Sequence, residues 1–177
     1  KKMKFNVNQQ DLQKCLSYCQ GVIEKRSTLP ILSNILLEVD NLKLKITATD
    51  LDLIFIQEIK NIEIVEEGKT TTTSSIMYDI IRKFSSGKKI NFSMSNESKL
   101  QLESEKSLFK LNCINASEFP LTDENFNQNE FVIKSKQLLK LLNKCKFSVA
   151  NDETRHYLSG IFFHQTQIED KTYLTAA

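Results

Sequence analysis

Apolar residues follow two rhythms along the chain. From Phe5 to Val7 every second residue is apolar, the period of a strand with one buried face. Leu12, Cys15, Leu16 and Cys19 then fall at i, i+3, i+4 and i+7, the stripe of an amphipathic helix, and Gly21 is placed to stop it. Ile35, Leu37 and Val39 alternate, a turn is expected at Asp40-Asn41, and Leu42, Leu44 and Ile46 alternate again. Leu53 to Ile59 and Ile62 to Val65 supply two more strands. The pattern predicts a short strand, a helix and an antiparallel meander.

The same pattern restarts at Thr70 to Thr73, whose β-branched side chains suit a strand. Behind it Met77, Ile80, Ile81 and Phe84 repeat the helical spacing, with Ser74 or Ser75 as the expected cap and Ser85-Ser86-Gly87 as the stop. Ile90/Phe92/Met94, Leu100/Leu102 and Phe109/Leu111/Cys113 then alternate as three strands. A polar stretch from Asn115 to Asn129, holding Pro120, reads as a linker.

Beyond it the first unit returns. Phe131 and Ile133 stand 126 residues after Phe5 and Val7, and Leu138, Leu141, Leu142 and Cys145 stand at the same offset from Leu12, Cys15, Leu16 and Cys19. Leu158-Ser159-Gly160-Ile161 repeats Leu32-Ser33-Asn34-Ile35, and Leu174-Thr175-Ala176 repeats Ile46-Thr47-Ala48 after a two-residue slip. An internal repeat of this kind sets the fold class. It is α+β, built of strand-helix-meander units whose helices cover one face of antiparallel sheets. Residues 1–120 form a first domain holding two units, 121–130 a linker, and 131–177 the opening of a second domain. The third copy stops inside a predicted strand, so the chain is expected to be the front part of a longer protein.

Composition narrows the class without naming a partner. The 177 residues are 26% charged and 40% hydrophobic, and 24 basic against 22 acidic residues leave a net charge of +2. Collagen-like and disordered chains are excluded. Cys15, Cys19, Cys113 and Cys145 lack zinc-site spacing and read as small core residues in a reducing compartment. With no leader-like N-terminus and no membrane-length apolar run, a cytoplasmic location is expected.

The distribution of charge is more informative. Lys136, Lys140 and Lys144 lie at i, i+4 and i+8, opposite the leucine stripe of the third helix, and no acidic residue occurs between Phe131 and Asn151. Lys14 lies on the first helix, Lys25 and Arg26 follow it, and Arg82 and Lys83 end the second. Residues 50–67 hold six acidic residues against Lys60. Basic helices and acidic strands are therefore expected on opposite sides. A lysine row on one helix is ordinarily a solvated face, but repeated helices gathered on one side of a sheet would make a surface that attracts a polyanion through phosphate contacts and counterion release.

Catalytic chemistry is not assembled. Gly21, Gly68, Gly87 and Gly160 stand alone, so no phosphate loop is present, and neither G-x-S-x-G nor H-E-x-x-H occurs. Asp50-Leu51-Asp52 could hold a divalent ion, but reads better as a turn in which aspartate bonds its own backbone. No cofactor or metal is expected. A nucleic-acid enzyme using Asp50 and Asp52, and an interaction scaffold that never meets DNA, remain as competing classes.

Met3-Lys4-Phe5, Arg26-Ser27-Thr28-Leu29-Pro30-Ile31-Leu32-Ser33-Asn34, Thr47-Ala48-Thr49-Asp50-Leu51, Glu118-Phe119-Pro120 and Phe147-Ser148 through Arg155-His156-Tyr157-Leu158-Ser159-Gly160 together resemble the bacterial DNA polymerase III β subunit family, the sliding clamps. The resemblance implies the DNA-clamp fold and a non-catalytic processivity factor. Two subunits of three domains each would close head to tail, domain one on domain three, around duplex DNA. The ring would tether the replicative polymerase and meet a clamp loader.

The resemblance further implies that Arg26 and Asn151 touch DNA, beside the lysines and arginine Lys14, Arg82, Lys136, Lys140 and Lys144 of the helices. Asp152 departs from the pattern of a phosphate-contacting loop. Arg155, Tyr157 and Leu158 match part of a partner-peptide pocket. Lys106, Phe109 and Leu111 match the dimer interface, where Ile76 and Leu108 replace basic residues; inward core packing is the competing assignment for Phe109 and Leu111.

Overall fold

A computed structural model describes residues 3–23, 29–96, 98–120, 132–150 and 156–177, and the chain divides into two compact units, Lys1–Asp123 and Glu124–Ala177. In the first unit β1 (Lys4–Asn8), α1 (Gln9–Cys19), β2 (Asn34–Asp40), β3 (Lys43–Thr49), β4 (Ile54–Lys60) and β5 (Glu63–Glu66) are followed by β6 (Gly68–Thr73), α2 (Ser74–Ile81), β7 (Lys89–Asn96), β8 (Lys99–Ser104) and β9 (Ser107–Ile114). The strands make one antiparallel sheet in the order β4-β3-β2-β6-β9-β8-β7-β1-β5.

That order carries the sequence repeat as an approximate internal two-fold. β2 lies beside β6 as β7 lies beside β1, and each is followed outward by its own meander. The equivalence fails at one place. β9 closes onto β6 at Thr71↔Ile114 and Thr72↔Cys113, whereas the matching edge of β1 is taken by β5, with Phe5 opposite Ile64.

One core lies between helices and sheet. Leu12, Cys15, Leu16 and Cys19 of α1 and Met77 and Ile81 of α2 are buried in the same cluster as Phe5, Val7, Ile35, Leu37, Leu44, Ile46, Ile90, Phe92, Leu100 and Leu102. The rings of Phe5 and Phe92, on paired strands, stack with centroids 4.7 Å apart. Removing a side chain of this size from water contributes about 1.5–3 kcal/mol.

Four local expectations are corrected. The Asn8 side chain caps α1 by accepting from the Gln10 amide at 2.9 Å, but neither Ser74 nor Ser75 caps α2. The cap position belongs to Thr73, whose hydroxyl donates instead to Asn34 Oδ1 at 3.1 Å on the neighbouring strand. The first hairpin turns at Asn41-Leu42, one residue later than expected, because Asp40 pairs with Lys43. Leu42 is therefore a turn residue at φ 61°, exposed, and not part of the alternation. Finally, the polar stretch after Asn115 is not linker from its start. Ala116 and Phe119 are buried against Leu36 on the face of β2 turned away from the main core.

The second unit contains α3 (Ser135–Cys145), a short 3-10 turn at His156–Leu158, and the hairpin β10 (Phe163–Ile168) with β11 (Lys171–Ala176). Helix α3 begins 126 residues after α1 and has the same length, eleven residues. The turn residues of the β10–β11 hairpin, Glu169 and Asp170, have φ values of 47° and 59°, close to the 46° and 61° of Asn41 and Leu42. Both hairpins thus use the two-residue turn whose left-handed centre matches strand twist. The α3 stripe of Leu138, Leu141, Leu142 and Cys145 is only half-buried. Among the described residues no helix is long and apolar enough to cross a membrane.

Candidate nucleic-acid interface

Helices α1 and α2 pack side by side and run in opposite directions, since Gln20 at the end of α1 donates to Ser74 Oγ at the start of α2 at 2.9 Å. Their apolar stripes face the sheet, so Lys14, Arg82 and Lys83 stand on the outward helical face, all exposed. This face is less basic than the lysine count implied. Asp11 shares it, and Asp79 lies 3.2 Å from Arg82 Nε, one turn back on the same helix. The Arg82 guanidinium also sits 5.9 Å from the centroid of the Tyr78 ring. The i, i+3 spacing of Asp79 and Arg82 was readable in the sequence and gives the pair directly.

Helix α3 is different. Lys136, Lys140 and Lys144 are all exposed, no acidic side chain lies on the helix, and Lys134 and Lys146 flank it. Lys140 and Lys144 edge a groove of about 620 Å³ formed with Val132, Ile133, Leu141 and Tyr173. Unlike Arg82, none of the three lysines has an acidic partner among the described residues.

Acidic character on the sheet is local, which corrects the expected partition. Glu58 is bonded to Lys43 of β3 at 2.6 Å, and Glu63 to Lys89 of β7 and to Asn6 Nδ2 of β1 at 3.1 Å. The hydrogen bonds from Lys43 and Lys89 hold the Glu58 and Glu63 carboxyls below the usual range. Lys45, Lys69, Lys99 and Lys110 also lie on strands. A window along the chain misses these neighbours because they are adjacent only across the sheet.

Asp50 behaves as a turn residue. Its Oδ1 accepts from the amides of Asp52 at 3.0 Å and Leu53 at 2.7 Å, with Leu51 at φ 84° between. Cys15 and Cys19 are core residues, and the hydrogen bond to Cys15 together with burial raises the Cys19 thiol.

The residues assigned to subunit contact separate into two groups. Strand β9 pairs with β8 along one edge and meets β6 only at Cys113 and Ile114, which among the described residues leaves an open edge beside Leu108 and Phe109. Phe109 is 38% exposed and packs edge-on against Phe84 at 5.7 Å. Ile76 and Leu108 are exposed, and Lys106 stands in the β8–β9 turn. Leu111, at 8%, points into the core and has little surface left for a partner. In the second unit Tyr157 and Leu158 are exposed on the 3-10 turn, where the Leu158 carbonyl accepts from the Ala150 amide at 2.9 Å. Arg26, Asn151 and Arg155 lie outside the described residues.

The profile of the DNA polymerase III beta subunit, N-terminal domain, matches residues 3–123. The beta sliding clamp of Caulobacter vibrioides strain NA1000 is 32% identical over 176 residues, and that of Escherichia coli K12 is 32% identical over 173; each match covers 98% of this chain and 47% of the relative. Among solved structures, a beta sliding clamp from Caulobacter crescentus superimposes with a TM-score of 0.94 at 32% identity, covering 99% of this chain and 46% of the other. The clamp from Bartonella birtlesii bound to griselimycin gives 0.92 at 32% identity, covering 98% and 46%. The chain therefore spans about half the length of the relatives it matches. On its repeat, its helix-over-sheet architecture and these matches, the chain belongs to the DNA polymerase III beta subunit family.

Proposed function

We propose that this chain forms part of a ring-shaped, non-catalytic processivity factor that encircles duplex DNA and tethers the replicative polymerase in the cytoplasm. Residues 1–120 act as one clamp domain, 121–130 as a linker, and 131–177 as the first part of a second domain. Closure joins domain one of one subunit to domain three of the next, through the open edge of β9 with Phe109, Leu108, Ile76 and Lys106. A clamp loader opens this joint. Arg155, Tyr157 and Leu158 contribute to the pocket that takes partner peptides. Arg26, Lys14, Arg82, Lys136, Lys140, Lys144 and Asn151 contact DNA.

The observation that carries the reading is the acid-free, exposed lysine row of α3 on a helix that repeats α1 residue for residue in position and length. Such a surface holds phosphates without reading bases, and a diffuse hold permits sliding. Replacing Lys136, Lys140 and Lys144 by glutamine and titrating a labelled duplex across a salt series tests it. Loss of three phosphate contacts should flatten the slope of log affinity against log salt by about 2.7. An unchanged slope would leave the scaffold reading in place.

A further inference from the structure

The N-terminal turn of α1 grips the segment that follows α2. Gln9 is 2% exposed, and its Nε2 donates to the Ile81 carbonyl at 2.8 Å as well as to Gln13 Oε1 at 2.7 Å. Its backbone amide donates to the Lys88 carbonyl at 2.9 Å, and Gln10 Nε2 donates to Ser86 Oγ at 2.6 Å. Three bonds from two adjacent glutamines thus fix residues 81–88 at their start, middle and end. The Ile81 carbonyl also accepts from the Phe84 amide at 3.2 Å, closing the turn that contains Arg82 and Lys83.

The two hydrogen bonds donated by Gln9 Nε2 come with a cost at the other end of the same amide. Its Oε1 is buried with no partner among the described residues, a costly state that an apolar side chain of equal length would avoid. What such a side chain would lose is the donor to Gln13 Oε1 on its own helix and, across to α2, the donor to the Ile81 carbonyl. Helix α2 is only eight residues long, its last carbonyls accept from the Arg82, Lys83 and Phe84 amides of the turn that follows, and that turn is where the basic residues stand.

We propose that Gln9 is a positioning residue for DNA contact, holding the end of α2 so that Arg82 and Lys83 stand outward together as a preformed phosphate-binding turn. This rests on the reading of the helical face as DNA-facing. Gln10, through Ser86, holds the far side of the same turn. Without the clamp both cations remain on the chain but lose a common fixed orientation, so their ordering is added to the cost of binding.

The test uses the present chain, a short fluorescein-labelled duplex and fluorescence anisotropy over a potassium chloride series. Gln9→Met keeps length and removes both the donor and the orphaned acceptor. Its thermal midpoint should equal or exceed that of the parent, while its salt slope falls toward that of an Arg82→Gln/Lys83→Gln double variant, a decrease of up to about 1.8. Amide exchange at Arg82, Lys83 and Phe84 should quicken, with the strand amides unchanged. A parental slope in Gln9→Met, alongside a reduced slope in the double variant, overturns the positioning role. A parental slope in the double variant overturns the DNA-facing reading itself. If Gln9→Met fails to fold, Gln10→Ala, which alters an exposed side chain, decides in the same way: a reduced slope supports the clamp and a parental slope refutes it.

Discussion

Asp79→Asn should strengthen duplex binding. In the native chain the Asp79 carboxylate sits 3.2 Å from Arg82 Nε, and both side chains are more than half exposed. An exposed i, i+3 pair of this kind contributes between about 0 and 1 kcal/mol, so the fold should tolerate its loss with little change in thermal midpoint. The electrostatic consequence is larger than the structural one. The substitution removes one negative charge from the helical face and frees one guanidinium for phosphate. One added phosphate contact steepens the salt slope by about 0.9, so a fourfold dilution of salt should favour the variant over the parent by a further factor of about 3.5. Anisotropy titrations of both proteins against the same labelled duplex at several salt concentrations measure it, with thermal unfolding as the control for stability. Equal slopes, or weaker binding by the variant with its fold intact, would show that the end of α2 does not meet phosphate and would remove Arg82 from the interface.

Phe119→Ala empties the small cluster under β2, where Phe119 packs with Leu36, Ala116 and Ile31. The loss should be near the lower end for a buried phenylalanine, about 3 kcal/mol, lowering the thermal midpoint of the first unit by about 10 °C; an unchanged midpoint would mean that residues 115–119 do not belong to this unit. Leu42→Asn relieves an apolar residue held at φ 61° in the first hairpin. It should raise the urea midpoint by the equivalent of about 0.5–1 kcal/mol, and a fall would contradict the turn assignment. Glu63 has its carboxyl held below the ordinary 4.5 by Lys89 and Asn6. Its contribution is present above that ordinary value and is lost as pH falls through the lowered one, so the native chain should lose stability in acid and Lys89→Gln should flatten that part of the profile. Identical acid profiles would show that the pair does not hold β5 to β7 in solution.

Period and repeat were enough to foresee the architecture. The i, i+3, i+4, i+7 stripes of α1 and α2 face the core, that of α3 is the half-buried side of its helix, and the strand alternations place Phe5, Ile35, Leu37 and Ile46 inward. What the chain pattern could not show is set by neighbours distant in sequence. Thr73 serves as the cap position of α2 without capping it because its hydroxyl is used by Asn34 of β2. Ala116 and Phe119 look like linker until the second face of β2 needs covering, and the acidity of residues 50–67 is offset by Lys43 and Lys89 only once the strands pair. The site was legible in part for the same reason. The lysine row on α3 follows from helical spacing alone, whereas the Gln9 contact with Ile81 joins residues 72 positions apart.

The ring proposed above would hold DNA topologically, by surrounding it, with its basic lining keeping the duplex centred. The direct measurement is to load the full-length protein onto a nicked circular duplex, isolate the complex, and cut the circle at one site at constant salt. Rapid release of the protein on cutting, with retention on the uncut circle, is the predicted result. Equal retention on circular and linear DNA would contradict the account, because a protein bound only by groove or phosphate contacts has no reason to notice a free end.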